Sequence, residues 1–130
     1  SMQTADTNVR ARALINDPGA MAQSRLAQSW LAAQVSIYVP QAVQLELVWV
    51  MDRAFGIARS DIVLLLERLS SHAAVSLQNP DAFAAGLDAL REGADFGDGI
   101  IAAEALAAGS ELVTFDRKLA KRSGAQLLKP

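Results

Sequence analysis

Four carboxylates stand where the sequence offers little local reason for them unless they bind something: Asp6, Glu46, Asp98 and Asp116. Residues 2–6 read as a short first strand that turns through Asp6-Thr7-Asn8 into a helix, and Asp116 closes an extended run over 111–115. Ligands of a parallel α/β sheet bind beyond the carboxyl ends of its strands, so Asp6 and Asp116 fall where a site would lie. Asp98 opens a helix predicted over 98–109, where unpaired amides and the helix dipole favour an acid. Glu46 is a lone carboxylate among Val43, Leu45, Leu47 and Val48, in a helix predicted over 40–55 that is apolar nearly all round. Such a helix is expected to be buried on most sides, and a buried unpaired carboxylate needs a positive partner. Taken singly, each acid also has a plain explanation: Asp98 and Asp116 as helix caps, Asp6 in an Asx turn, Glu46 paired with Arg53.

The donor types available narrow the chemistry. The chain has no cysteine and a single histidine, His72, which removes thiolate zinc sites, cysteine nucleophiles and multi-histidine metal sites together. His72 is expected in a loop after a helix. Acids converging without sulfur or imidazole make an all-oxygen site suited to Mg²⁺ or Mn²⁺. Ions of that kind activate water and stabilise charge on phosphate oxygens, so metal-dependent phosphodiester hydrolysis is the reaction such a set supports.

The elements that must position these acids are legible from periodicity. Asp17-Pro18 signals the start of a helix running to about Gln34, with Met21, Leu26, Trp30 and Leu31 near one face. A β-branched run over 35–39 predicts a second strand stopped by Pro40. Gly56 ends the apolar helix, Ser60-Asp61 is expected to cap the next, and a short strand follows near 74–77. Asn79-Pro80-Asp81 opens a helix to about Gly93 with Phe83, Leu87 and Leu90 inward. After the helix closed by Gly109 come the strand ending at Asp116, a basic helix over 117–122 and a final strand over 126–128. Alternation of strands and helices predicts an α/β fold with a parallel sheet covered on both faces.

At 130 residues the chain matches one domain, 1–130, with Ser1 before Met2 reading as a remnant of tag cleavage. Its apolar fraction of 52% with only 5% aromatic residues calls for a core of Ala, Leu, Val and Ile, and the apolar surplus hints at a partner surface. No charged leader precedes an apolar stretch and no apolar run approaches about 18 residues, so a cytoplasmic protein with no membrane span is expected. A net charge of −2 argues against nucleic-acid binding through overall charge. The basic residues Arg117, Lys118, Lys121 and Arg122 nevertheless concentrate positive charge directly after Asp116.

Four segments occur in an informative order: Ala5-Asp6-Thr7-Asn8-Val9, Leu45-Glu46-Leu47-Val48-Trp49-Val50, Asp95-Phe96-Gly97-Asp98-Gly99-Ile100-Ile101-Ala102-Ala103 and Val113-Thr114-Phe115-Asp116-Arg117-Lys118-Leu119-Ala120. Together with Arg53-Ala54-Phe55-Gly56 they resemble the PIN-domain ribonucleases of the VapC toxin type over essentially the whole chain. The resemblance implies a three-layer fold with a short parallel central sheet. It also implies that Asp6, Glu46, Asp98 and Asp116, with Asp95 as a fifth acid, hold one or two Mg²⁺ or Mn²⁺ ions. Thr7, Asn8 and Thr114 would support them by hydrogen bonds, and Arg117, Lys118, Lys121 and Arg122 would guide RNA. The implied activity is endoribonuclease hydrolysis, held in check by a small antitoxin that alone reaches promoter DNA, in a chain that forms homodimers. The helix over 40–55 and the one after Arg59 are the expected contact surfaces.

Two positions depart from the family pattern. Arg10 stands where an apolar residue usually follows Val9, which either reorients the exit from the first strand or brings a cation towards the metals. Gly99 occupies a first-turn position where alanine is commoner, at a cost of up to about 1 kcal/mol in helix stability. The rival reading is a PIN-like binding or scaffold domain without catalysis, which would have no use for all four acids.

Overall fold

Helices carry most of the chain, and the few strands are short and parallel, giving an α/β fold. The computed structural model describes residues 2–15, 18–34 and 36–130. Ser1, the predicted cap Asp17 and the first predicted strand residue Val35 lie outside the described residues. The chain divides into two compact units, Ser1–Asn79 and Pro80–Pro130.

In the first unit α1 (Thr7–Leu14) precedes a single 3-10 turn (Pro18–Ala20), α2 (Met21–Ala33), β1 (Ile37–Val39), α3 (Gln41–Arg53), α4 (Arg59–Ser71) and β2 (Val75–Leu77). Strands β1 and β2 pair in parallel with Ile37 opposite Val75 and Val39 opposite Leu77. The predicted strand over 2–6 contracts to one parallel bridge between Gln3 and Ile37. Its reach is cut short because α1 already begins at Thr7 with Asp6 as its cap.

Helix α3 corrects the expectation of burial on most sides. Only Gln44, Leu47 and Met51 are buried, at the i, i+3, i+7 spacing of one helix face. Leu45, Glu46 and Trp49 are exposed, Trp49 by 61%. The innermost polar position is explained by the strand ends: Gln44 Nε2 donates to the carbonyls of Val39, 3.1 Å away, and Gln78, 2.9 Å away. The Gln78 carbonyl takes its donor from Gln44, and the Val39 carbonyl, which already accepts the Gln78 amide at 2.9 Å, gains a second; a leucine could supply neither.

Two other helix starts differ from expectation. Helix α2 begins at Met21, with Ala20 at the N-cap position and no side-chain cap bond. It buries Ser24 and Ala27, while Met21 and Leu26 are exposed. The small residues Ala11, Ser24 and Ala27 fill the contact between α1 and α2, which pushes the larger ones outward. Helix α4 starts at Arg59 behind Ala58, so Ser60 and Asp61 lie inside its first turn, where the Asp61 charge favours the helix dipole. Its buried residues are Ile62, Leu66 and Leu69.

Arg10 is interior, 3% exposed, on the buried face of α1 with Thr7 and Ala11. Among the described residues its Nε and Nη2 have no hydrogen-bond partner, and burial pulls the guanidinium pKa below its ordinary value. The departure from the family pattern thus places a costly charge in the core of this unit.

The second unit comprises α5 (Pro80–Arg91), α6 (Phe96–Ala107), β3 (Val113–Thr114), α7 (Arg117–Ser123) and β4 (Gln126–Leu127), with β3 and β4 parallel. Phe83, Leu87 and Leu90 are buried as their spacing predicts. Phe83 meets Phe96 edge to face at 5.7 Å between ring centres. The second departure finds its reason here: a Cβ at Gly99 would lie 2.6 Å from the Ala85 carbonyl oxygen and 2.8 Å from Gly86 Cα. The α5–α6 contact therefore depends on the absence of that atom. Among the described residues no helix is long and apolar enough to cross a membrane.

Two stability changes follow. Gly99→Ala, although it raises helix propensity, should destabilise the protein by about 1–3 kcal/mol in urea unfolding, because the α5–α6 backbones must separate. Arg10→Met should do the reverse and stabilise by about 1–4 kcal/mol, since a buried charge with two nitrogens unsatisfied among the described residues is exchanged for an apolar chain of similar reach.

Candidate functional site

Each unit gathers its own set of acids at helix starts. In the first, Asp6 is the N-cap of α1, its Oδ1 accepting the Val9 amide at 3.0 Å. The next residue, Thr7, is buried and donates from Oγ1 to Glu46 Oε2 at 2.8 Å, tying α1 to α3. Glu46 itself is exposed, so the expectation that burial forces a cation on it is not met. The reason is the rotation of α3, which turns position 44 inward and position 46 outward. Asp6, Thr7, Asn8, Glu46, Trp49 and Val50 line a cleft of about 260 Å³. A larger and mainly apolar groove of about 720 Å³ shares Asp6 and Asn8 with it and is walled by Val9, Leu26, Ala27 and Trp30.

In the second unit the cap of α6 is Asp95 and not Asp98. Asp95 Oδ1 accepts the amides of Gly97 at 2.7 Å and Asp98 at 3.4 Å. The spacing Asp95-Phe96-Gly97-Asp98 is itself a helix-start pattern of an acid three residues before another, a signal that could have located this cap. Asp98 is then the third residue of α6 and half-buried. Its pKa is raised by burial first, then by the charges of Asp95 and Asp116, which together outweigh the favourable helix start. Asp116 caps α7, accepting the amides of Lys118 at 2.8 Å and Leu119 at 3.1 Å, while its own amide donates to Thr114 Oγ1 at 3.0 Å. Of the basic residues, Arg117, Lys118 and Lys121 are exposed, and Arg122 Nε donates to Glu92 Oε2 at 2.5 Å.

The acids thus form two local sets, Asp6 with Glu46 and Asp98 with Asp95 and Asp116. Among the described residues no three acidic or histidine side chains make a ready metal cluster as they stand. The donor chemistry nevertheless fits a hard divalent cation: every candidate is a carboxylate, and the neighbouring Asp95 and Asp116 charges that, after burial, raise the Asp98 pKa are what a cation would offset. His72 follows α4 and accepts the Ala74 amide through Nδ1 at 3.2 Å, a loop role as expected.

A family model described as PIN domain matches residues 5–125, a stretch that includes every one of these acids. The chain belongs to the PIN-domain family. PIN domains are generally metal-dependent nucleases, which makes hydrolysis at a phosphodiester the class of chemistry to which this fold is put. A comparison with curated proteins returns no significant match. Within the PIN domain, Trp49 is the residue whose place the sequence pattern misjudged most, an apparent core aromatic that lines the acidic cleft one helical turn from Glu46.

The Asp98 shift carries a pH signature. Its folded pKa exceeds the unfolded one, so the folded state keeps the proton between the two values and the charged carboxylate weakens the fold above them. Asp98→Asn should raise the thermal midpoint by about 2–4 °C at neutral pH. In melts run across pH, that advantage should shrink as pH falls through the raised pKa and vanish below about pH 4.

Proposed function

We propose that this PIN domain is a Mg²⁺- or Mn²⁺-dependent endoribonuclease of the VapC toxin type, acting in the cytoplasm as a single domain and inhibited by a small antitoxin. The observation that carries the reading is the family match, which spans Asp6, Glu46, Asp95, Asp98 and Asp116 in one stretch of 5–125. Asp6, Asp98 and Asp116 would hold the ion, with Glu46 joining directly or through water and Asp95 as a further acid. A bound divalent ion supplies an activated water and offsets the charge that builds on the phosphate. Thr7 keeps the Glu46 carboxylate in one orientation, Thr114 fixes the backbone at Asp116, and the caps at Asp6 and Asp116 hold each carboxylate at a defined helix start. Among the described residues Arg117, Lys118 and Lys121 lack the acidic partner that engages Arg122, and they would attract the RNA backbone.

The inhibitory partner is supported by the apolar groove beside Asp6, which an apolar face of an antitoxin segment would fill while covering the acid. Exposed Leu26, Leu64 and Leu106 support further apolar contacts, including those of a homodimer. Promoter DNA would be reached through the antitoxin, since the chain itself carries a net charge of −2.

Purified protein, freed of co-purifying antitoxin, should cleave cellular RNA in Mg²⁺ or Mn²⁺ and stop on addition of EDTA. Asp6→Asn and Asp98→Asn should each lower kcat by about a hundredfold or more, and Thr7→Val, which only loosens Glu46, by about tenfold. A folded wild type that leaves total RNA intact in both metals would sink the nuclease reading in favour of a binding domain.

A further inference from the structure

Trp49 is 61% exposed on α3, a placement that costs the fold the burial of its largest kind of side chain. It stands at i+3 from Glu46, on neighbouring positions of the helix surface, and shares the cleft of about 260 Å³ with Asp6, Thr7, Asn8, Glu46 and Val50. The charges of that cleft are its carboxylates, so without a bound cation it repels phosphates and acidic peptide segments. Its attractive surfaces are the uncharged indole face and the acceptors beside it. An aliphatic side chain packed there would strip water from Asp6 and Glu46 and return no hydrogen bond. A nucleobase offers both a flat π-face for the indole and N–H groups for carboxylate or Asn8 oxygens. The cleft also falls below the size of pockets that hold whole drug-sized ligands, as one base requires.

We propose that Trp49 is the stacking platform for one base of the RNA substrate, with Asn8 at the base edge, which makes Trp49 a substrate-positioning residue of this PIN domain. The proposal rests on the endoribonuclease reading and adds to it the residue that positions one base of the RNA. A base held on Trp49 is anchored beside Asp6 and Glu46 through contacts that do not themselves involve a cation. A base within a duplex has both faces already stacked and is not open to the indole.

Trp30→Phe leaves Trp49 as the sole tryptophan, so its emission reports on the cleft directly. In EDTA, where nothing is cut, a short unstructured oligoribonucleotide should quench that emission saturably, and a duplex of the same sequence should not. Trp49→Ala should weaken oligonucleotide binding about tenfold and raise KM by a similar factor with kcat retained, and Trp49→Phe should recover most of the loss. An abasic substitution at the stacked nucleotide should cost the wild type that same factor and cost Trp49→Ala nothing further. Binding that leaves the emission unchanged, or a Trp49→Ala enzyme that cleaves with unaltered KM, would overturn the proposal while the nuclease reading stands. A shift in sedimentation from dimer to monomer in Trp49→Ala with KM unchanged would reassign the face to a second copy of the chain. Absence of any cleavage by wild type would instead remove the endoribonuclease reading and this proposal with it.

Discussion

The first turn of an α-helix leaves backbone amides without intrahelical acceptors, and three aspartates of this chain accept them: Asp6 at α1, Asp95 at α6 and Asp116 at α7. Each bond does two things at once. It fixes where a helix begins, and it fixes the carboxylate at that point. A carboxylate has about four acceptor positions and a cap uses only one or two, so capping and ligand binding do not compete. The plain explanation of these acids as caps and the functional one as ligands are therefore compatible. The difference between them lies in Asp98, which caps nothing and is crowded by two other carboxylates.

Much of this was legible in the sequence because the signals are local. Pro40 stops β1, Gly109 follows α6, and the inward triplet of Phe83, Leu87 and Leu90 follows from helical spacing alone. What escaped is what only packing decides. An unbroken apolar run over α3 implied burial on most sides, but which face turns inward is set by the carbonyls at the ends of β1 and β2, and these draw in Gln44. Leu26 seemed a core residue until the small side chains of α1 and α2 proved to make their contact. Among the acids, the positions at helix starts were visible. The cap of α6 was displaced by three residues, and the bond from Thr7 to Glu46 spans a sequence distance that no local pattern reports.

Charge in this PIN domain is distributed against the usual expectation. The interior of the first unit holds a cation, Arg10, while the acid expected to be buried, Glu46, is at the surface. A buried arginine with two nitrogens unbonded among the described residues is expensive, and α1 carries that expense within one turn of Asp6. Apolar groups are likewise displaced outward, with Trp49, Phe115 and Leu106 all exposed. The core is filled by Leu, Ile and Met51 with Phe83 and Phe96, while Trp49 and Phe115 stay at the surface, where they are available for recognition.

The carboxamide of Gln44 shows how narrow such solutions are. Its nitrogen gives one hydrogen to each of two backbone oxygens, from segments adjacent in the sheet but distant in the chain. Hydrolysis of that amide to an acid, the slow chemical ageing to which glutamine is subject, would replace a double donor with a group that can only accept. Two carbonyls would then face a negative charge in the dry interior, and the same side chain that clasps the strand ends would force them apart. One of the contacts that joins the strand ends thus changes sign with a single nitrogen atom.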